Sequence, residues 1–317
     1  MQTCLVAGGA GFIGANLCES LLKDGFRVIC FDNFITSNKK NIDKFKVDKN
    51  FVFIEQDITK EFEVNEKIDY IFHLASPASP NHHSKLSYHS LPFETMLANT
   101  TGTINLLNLA GKNNSKFLFA STSEAYGDPL EHPQKEEYRG NVSTIGPRSV
   151  YDESKRFGET ITSYYQRNKD IDTRIVRIFN TYGPGMLIED KRMVIDFIMQ
   201  SIQGKPITVF GDGTQTRSLC FVGDLVEGLK KLMFSSNTKG EIVNLGSDEE
   251  HTVMDYANII KKIANSNSEI VLSEVLPTDD PLKRRPDITK AKKLLEWEPK
   301  VSLEDGLTKT IEYFKGL

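Results

Sequence analysis

The chain is poor in the residues that staple a fold, hold a metal or anchor in lipid: its 317 residues include four cysteines and one tryptophan. Cys4, Cys18, Cys30 and Cys220 share no metal-ligand spacing, and three fall inside apolar runs, so they read as small buried hydrophobes in a reducing compartment. No apolar run reaches the roughly 18 residues of a membrane helix. The first strand begins at once, with no room for a secretory leader, so the expectation is a cytoplasmic protein without membrane contact. An excess of one charge is missing too: 39 basic and 43 acidic residues, net −4, are interspersed, which argues against nucleic acid as a partner. The densest basic cluster, Lys283-Arg284-Arg285, suits one small anion. No repeat, low-complexity tract or long linker is visible, and the length suits one large or two modest domains.

What is present starts with a β-rich run, 3–7, followed by Gly8-Gly9-Ala10-Gly11-Phe12-Ile13-Gly14 and by Ile13, Leu17, Leu21 and Leu22 at helix spacing. A strand, a glycine turn and a helix start let backbone amides approach a pyrophosphate closely. The next strand ends at Asp32, eighteen residues past Gly14, where a carboxylate can accept from both ribose hydroxyls and would repel a 2′-phosphate. NAD is therefore expected rather than NADP. Further strands at 51–56, 70–74, 116–120 and 173–179 alternate with helical or loop segments, which predicts an α/β, Rossmann-type, doubly wound parallel sheet. Asp57 closes one of these strands where an adenine edge could be met, and His73 reads as a core residue. Beyond 180 the elements become shorter and mixed, predicting a smaller α/β lobe over 181–317, with a later strand near 241–245 rejoining the first sheet.

Two clusters carry chemistry. Tyr151 and Lys155, four apart on a helix, share one face, and a fixed cation near a phenol favours its ionised form. Ser121-Thr122-Ser123-Glu124 follows a strand, where ligands of open parallel sheets bind, and places Glu124 for acid/base work. The polar stretch 77–91, with His82, His83 and His89, has no cysteine or carboxylate at ligand spacing and reads as an active-site loop rather than a zinc site. Arg217 and Arg284, expected on loops, could clamp a diphosphate or carboxylate.

Together, Gly8 to Gly14, Asp32, Ser121 to Glu124, Tyr151 and Lys155 resemble the extended short-chain dehydrogenase/reductases that modify nucleotide sugars, over essentially the whole chain. Asp32-Asn33-Phe34, His73-Leu74-Ala75, Pro77-Ala78-Ser79-Pro80, Gly146-Pro147-Arg148-Ser149, the stretch 211–217 and Arg284-Arg285-Pro286-Asp287-Ile288 are most similar to the branch that decarboxylates UDP-glucuronate to UDP-xylose. The resemblance implies NAD held by Gly8, Gly11, Phe12, Ile13, Gly14, Asp32, Asn33, Asp57, Ile58, Leu74, Ala75, Asn99, Tyr151 and Lys155. It implies catalysis by Tyr151, Lys155, Thr122, Ser123, Glu124 and Arg284, and a UDP-linked substrate on Pro77, Ser79, Asn180, Arg192, Gln215, Arg217 and Arg284. It also implies a homodimer that pairs the helices around 93–110 and 151–168. Ser123 stands where sugar 4,6-dehydratases carry an aspartate, so that elimination lacks its proton donor. Departures cluster at the sugar end: His83 replaces a tyrosine, the following loop is several residues longer, Gly185 replaces an arginine, and Ser154 replaces a glycine. A nucleotide-sugar 4-epimerase, which needs the same tyrosine, lysine and NAD, stays open as an alternative. A non-catalytic NAD-binding module is more remote, because Tyr151 and Lys155 are both kept.

Overall fold

Short strands that are apolar on both faces must be covered on both faces, which a parallel sheet between two helical layers achieves. A computed structural model describes residues 1–273 and 281–317 of the chain. The strands are β1 (Thr3–Ala7), β2 (Arg27–Asp32), β3 (Phe51–Glu55), β4 (Tyr70–His73), β5 (Lys116–Thr122), β6 (Thr173–Ile178) and β7 (Thr181–Tyr182). They continue as β8 (Ile207–Val209), β9 (Thr216–Ser218), β10 (Cys220–Phe221), β11 (Ile242–Leu245), β12 (Glu250–Thr252), β13 (Ile270–Leu272) and β14 (Lys283–Arg284). Seven form one parallel sheet in the order β3-β2-β1-β4-β5-β6-β11, so the strand near 241–245 does join it, on β6. In β1, Cys4 and Val6 enter one apolar core while Leu5 and Ala7 enter the other, the period of two expected of a sheet covered twice.

The helices are α1 (Phe12–Lys23), α2 (Lys40–Asp43), α3 (Pro92–Leu97), α4 (Thr103–Asn113) and α5 (Ser149–Lys169). After them come α6 (Met193–Ile202), α7 (Val222–Phe234), α8 (Val253–Ile263), α9 (Thr289–Leu295) and α10 (Leu303–Lys315). A π-helical turn, Ala98–Gly102, links α3 to α4 in one continuous rod. Helices α6, α8 and α10 with β8 build a separate apolar cluster around Ile195, Ile198, Tyr256 and Ile311. Helices α7 and α9 return to the large sheet, where Leu225, Leu229, Ala291 and Leu295 share the core of α1. No helix among the described residues is long and apolar enough to cross a membrane.

One expectation needs correction, and it falls among the shortest strands. Around 216–221 two short strands adjoin, β9 pairing with β12 and β14 and β10 with β7. Arg217 and Arg284 lie not on loops but opposite each other on β9 and β14. Strands of two or three residues are too short to show periodicity.

Candidate active site

Order reversal at β1, whose neighbours β2 and β4 lead to opposite sides, opens a crevice at the carboxyl ends of the strands. Glycine shapes its floor. Gly8 has φ +80°, and a Cβ there would lie 2.7 Å from the Ala75 nitrogen; a Cβ on Gly14 would lie 2.1 Å from the Gly8 oxygen. Turn, helix and the end of β4 thus meet backbone to backbone. Gly11 caps α1 without a side-chain bond, so the first-turn amides of Phe12, Ile13 and Gly14, whose residues line the crevice, have no capping side chain. Asp32 is held by three donors: Oδ2 accepts from the Ala10 amide (3.0 Å), Oδ1 from the Phe34 amide (2.9 Å) and Ser37 Oγ (2.7 Å). Asn33, Asp57, Ile58, Leu74, Ala75 and Pro77 line the same end with it. Asp57 also serves as a turn former, accepting from the Thr59 amide (2.9 Å) and Oγ1 (2.7 Å). A cradle with no room for a Cβ, an uncapped helix start and an acid at the second strand's end fit a dinucleotide.

Asn99 departs from this set. It is fully buried in the π-helical turn, and its Nδ2 donates to Ser76 Oγ (3.0 Å), the Thr95 oxygen (3.0 Å) and Ser154 Oγ (3.1 Å). It lies among none of the residues lining the crevice and supports Ser76, which does line it.

At the centre, β5 delivers Thr122 and the turn after it Ser123 and Glu124, while α5 delivers Tyr151 and Lys155. All five are buried and line one cavity with Ser79, Asn180 and Arg192. Lys155 Nζ sits 5.8 Å from the Tyr151 ring centroid and donates to the Ala120 oxygen (2.7 Å). Burial pushes the Lys155 ammonium down to about 7, with Glu159 opposing. Contrary to the expectation that Lys155 lowers it, the Tyr151 phenol is pushed up, first by burial and then by the charge of Glu124; a hydrogen bond with Thr122 and the charge of Arg192 pull the other way. Positive charge arriving beside such a phenol favours release of its proton.

Glu124 is the hub of a buried charge cluster. Its Oε2 lies 2.7 Å from Arg148 Nη2 and accepts from the Tyr88 hydroxyl at 3.4 Å, while Oε1 lies 3.5 Å from Arg284 Nη1. Burial would raise Glu124; Arg148 and then Arg284 outweigh it and hold the carboxyl below its usual range. Asp152 is pushed up by burial, by Glu124's charge and by a hydrogen bond with Glu124, so the pair favours one proton, on Asp152. Arg284 is 4% exposed, its Nη2 donates to the Gly127 oxygen (3.1 Å), and it stands behind Glu124 rather than on the cavity wall. Tyr88, Arg148 and Asp152 were given no role from sequence. Arg148 and Asp152 lie inside stretches that were read, 146–149 and 151–155, but Tyr88 carries no local signal.

On the far side, Asn180, Thr181 and Arg192 are shared with a second cavity of about 480 Å³, lined also by Phe210, Gln215 and Arg217. That volume suits a small ligand. Gln215 Nε2 donates to the Phe210 oxygen (3.0 Å), and its buried Oε1 has no partner. Arg192 is braced by Asp190 (2.6 Å) and the Ala78 oxygen (2.8 Å), and Ser79 Oγ donates to the Asp190 oxygen (2.8 Å). His73 is a core residue, paired with Thr103 (3.0 Å).

The pattern that defines the NAD dependent epimerase/dehydratase family matches residues 4–246. This chain belongs to that family. Within it the chain is 47% identical over 312 residues to UDP-glucuronic acid decarboxylase 1 of Xenopus tropicalis, covering 98% of this chain and 72% of that protein. It is 46% identical over 312 residues to UDP-glucuronic acid decarboxylase 5 of Arabidopsis thaliana, covering 98% and 89%. Among solved structures, a UDP-glucuronic acid 4-epimerase of Bacillus cereus in complex with UDP-glucuronic acid and NAD matches with a TM-score of 0.85 at 29% identity, over 99% of both chains. For a member of this family the three adjoining cavities form one trough with the phenol of Tyr151 at its middle.

Proposed function

We propose that this chain is an NAD-dependent enzyme that converts UDP-glucuronate to UDP-xylose through a transient 4-keto sugar. The cluster on Glu124 carries the reading: epimerisation at carbon 4 needs a base and a hydride acceptor, and has no use for a carboxyl pair clamped by two guanidiniums beside the base. Identity of 46–47% to decarboxylases over 98% of this chain supports it. NAD would lie on Gly8, Gly11, the amides of Phe12 to Gly14, Asp32 and Asn33, and it supplies reversible acceptance of hydride from the sugar's carbon 4.

The chain's own residues do the rest. Tyr151 removes the 4-hydroxyl proton, Thr122 holds that oxygen, and Lys155 charges when the phenolate forms. A ketone at carbon 4 makes the carboxylate on carbon 5 part of a β-keto acid, which loses carbon dioxide because the bond's electrons delocalise into the ketone. Glu124 and Ser123 handle the carboxylate end and the proton returned to carbon 5, with Arg284 and Asp152 holding Glu124 from behind. Asn180, Arg192, Gln215 and Arg217 hold the uridine diphosphate. The second reading, a 4-epimerase, is favoured by the altered loop around His83 and by the likeness to the epimerase fold. Incubation with UDP-glucuronate separates them: carbon dioxide and a UDP-pentose support decarboxylation, whereas UDP-galacturonate without gas establishes the epimerase.

The division into a cofactor domain over 1–180 and a substrate lobe over 181–317 belongs to this proposal, as does a cytoplasmic homodimer. Phe93 and Leu97 on α3, Ile104 on α4, and Phe157 and Tyr164 on α5 are exposed on neighbouring helices, an apolar face suited to a four-helix pairing of two copies. Sedimentation as a monomer at micromolar concentration would sink the dimer.

A further inference from the structure

Tyr88 is fully buried although it lies in the irregular polar segment between β4 and α3. Its ring stacks on that of Tyr151, with centroids 4.9 Å apart and planes within 9°. Its hydroxyl donates to Glu124 Oε2 across a long 3.4 Å. The backbone around it is wired inward, the Tyr88 amide donating to the Ser79 oxygen (3.2 Å) and Ser79 bridging to Ser87. The same segment reaches across to the turn that precedes α6. Ser79 Oγ donates to the Asp190 oxygen (2.8 Å), Asn81 Nδ2 to the Lys191 oxygen (2.5 Å) and Ser84 Oγ to the Glu189 oxygen (2.6 Å). Arg192, at the end of that turn, returns a bond to the Ala78 oxygen (2.8 Å). One segment therefore touches the phenol, the carboxylate hub and the arginine that the two substrate cavities share.

We propose that Tyr88 is a positioning residue: its ring fixes the plane of the Tyr151 phenol, its hydroxyl steadies Glu124, and the strap 79–91 that carries it holds both in register with Arg192. The inference rests on the reading of Tyr151 as the base that opens the reaction. Ring stacking should outweigh the hydroxyl, since a contact of 3.4 Å is weak whereas a phenol free to swing loses its aim on the 4-hydroxyl. Glu124, Arg148, Asp152 and Tyr151 face the Tyr88 hydroxyl, and His89 flanks its ring at 4.5 Å. Burial keeps that hydroxyl protonated, so it is a donor throughout the working range.

The test compares Tyr88→Leu and Tyr88→Phe with the unaltered protein, all loaded with NAD, following kcat, KM and the pH profile of carbon dioxide release from UDP-glucuronate. Tyr88→Leu is expected to lower kcat by about 30-fold or more with KM changed by less than about threefold. Tyr88→Phe is expected to lower kcat only about threefold and to move the acidic limb of kcat/KM to higher pH, because Glu124's charge, no longer shared with a hydroxyl, weighs more on Tyr151. A Tyr88→Leu protein that folds and keeps kcat within about twofold, or whose loss lies wholly in KM, overturns the proposal. If Tyr88→Leu does not fold, Tyr88→Phe decides alone, and an unchanged kcat with an unmoved limb overturns it. Should the unaltered protein release no carbon dioxide but make UDP-galacturonate, the decarboxylase reading fails; the same kcat pattern, read on epimerisation, still decides Tyr88, because both reactions begin at Tyr151.

Discussion

The two ends of the trough are built on opposite principles. At the dinucleotide end the protein offers backbone: glycines where a Cβ would stand 2.1–2.7 Å from main-chain atoms, amides with no capping side chain, and one acid already satisfied by three donors. At the sugar end it offers buried charge: two carboxyls whose affinities for a proton are pushed apart, two guanidiniums, and an ammonium and a phenol each displaced from its ordinary titration. Binding a cofactor tightly needs shape and fixed dipoles, which cost little to maintain. Moving protons needs groups poised between two states, and burial is what poises them.

Substitutions that separate binding from proton traffic sharpen this contrast. The largest effect is expected from Tyr151→Phe, which keeps the ring and removes the acidic hydroxyl: turnover should fall by about 10³-fold or more, with NAD and UDP affinities intact by calorimetry. Weaker NAD binding in that variant would break the contrast, because the phenol would then belong to the cradle. Gly14→Ala acts at the other end. With the Gly8 oxygen 2.1 Å from the new Cβ, the turn must open, and NAD affinity should drop by about 100-fold or more while uridine diphosphate binds as before. Unaltered NAD affinity would show that the turn yields freely.

Glu124→Gln should cut carbon dioxide release by about 100-fold and also weaken the fold, by about 3 kcal/mol, because Arg148 and Arg284 lose their counter-charge in a buried place. Chemical denaturation and activity measured together check both arms. Asp152→Asn gives the smallest effect over any one pH unit, and its sign is informative. Asp152 is raised in the folded protein, so from its ordinary carboxylate range up to its folded value the unfolded chain has released a proton that the native state retains, and stability falls as pH rises. Asparagine abolishes that loss, so the variant should gain on the order of 1 kcal/mol per pH unit relative to the parent between pH 5 and pH 8. An identical pH dependence in both proteins would argue against a proton held on Asp152.

The same division explains what could be read from sequence. The cradle was legible because its constraint is local: strand, Gly8 to Gly14, helix and Asp32 follow one another, and β11 announced itself as an apolar run. Tyr151, Lys155, Thr122 and Glu124 were legible because each pair lies within one turn of chain. The charge cluster was legible only in part. It draws on the segments around Tyr88, Glu124, Arg148 with Asp152, and Arg284, and no periodicity links residues so distant. Asn99 was legible as a residue near the cofactor, but not its internal bracing: its Nδ2 bonds join Ser76, Thr95 and Ser154, which no local pattern links.

Reversible oxidation at carbon 4 ahead of carbon loss is tested most directly with UDP-glucuronate carrying deuterium at carbon 4 and carbon-13 in the carboxyl group, given to the NAD-loaded protein. The expected result is labelled carbon dioxide in equal amount to UDP-xylose, with the deuterium back on carbon 4 of the same pentose. Labelled carbon dioxide with deuterium lost to solvent, or deuterium returned to carbon 4 with no carbon dioxide released, would contradict it.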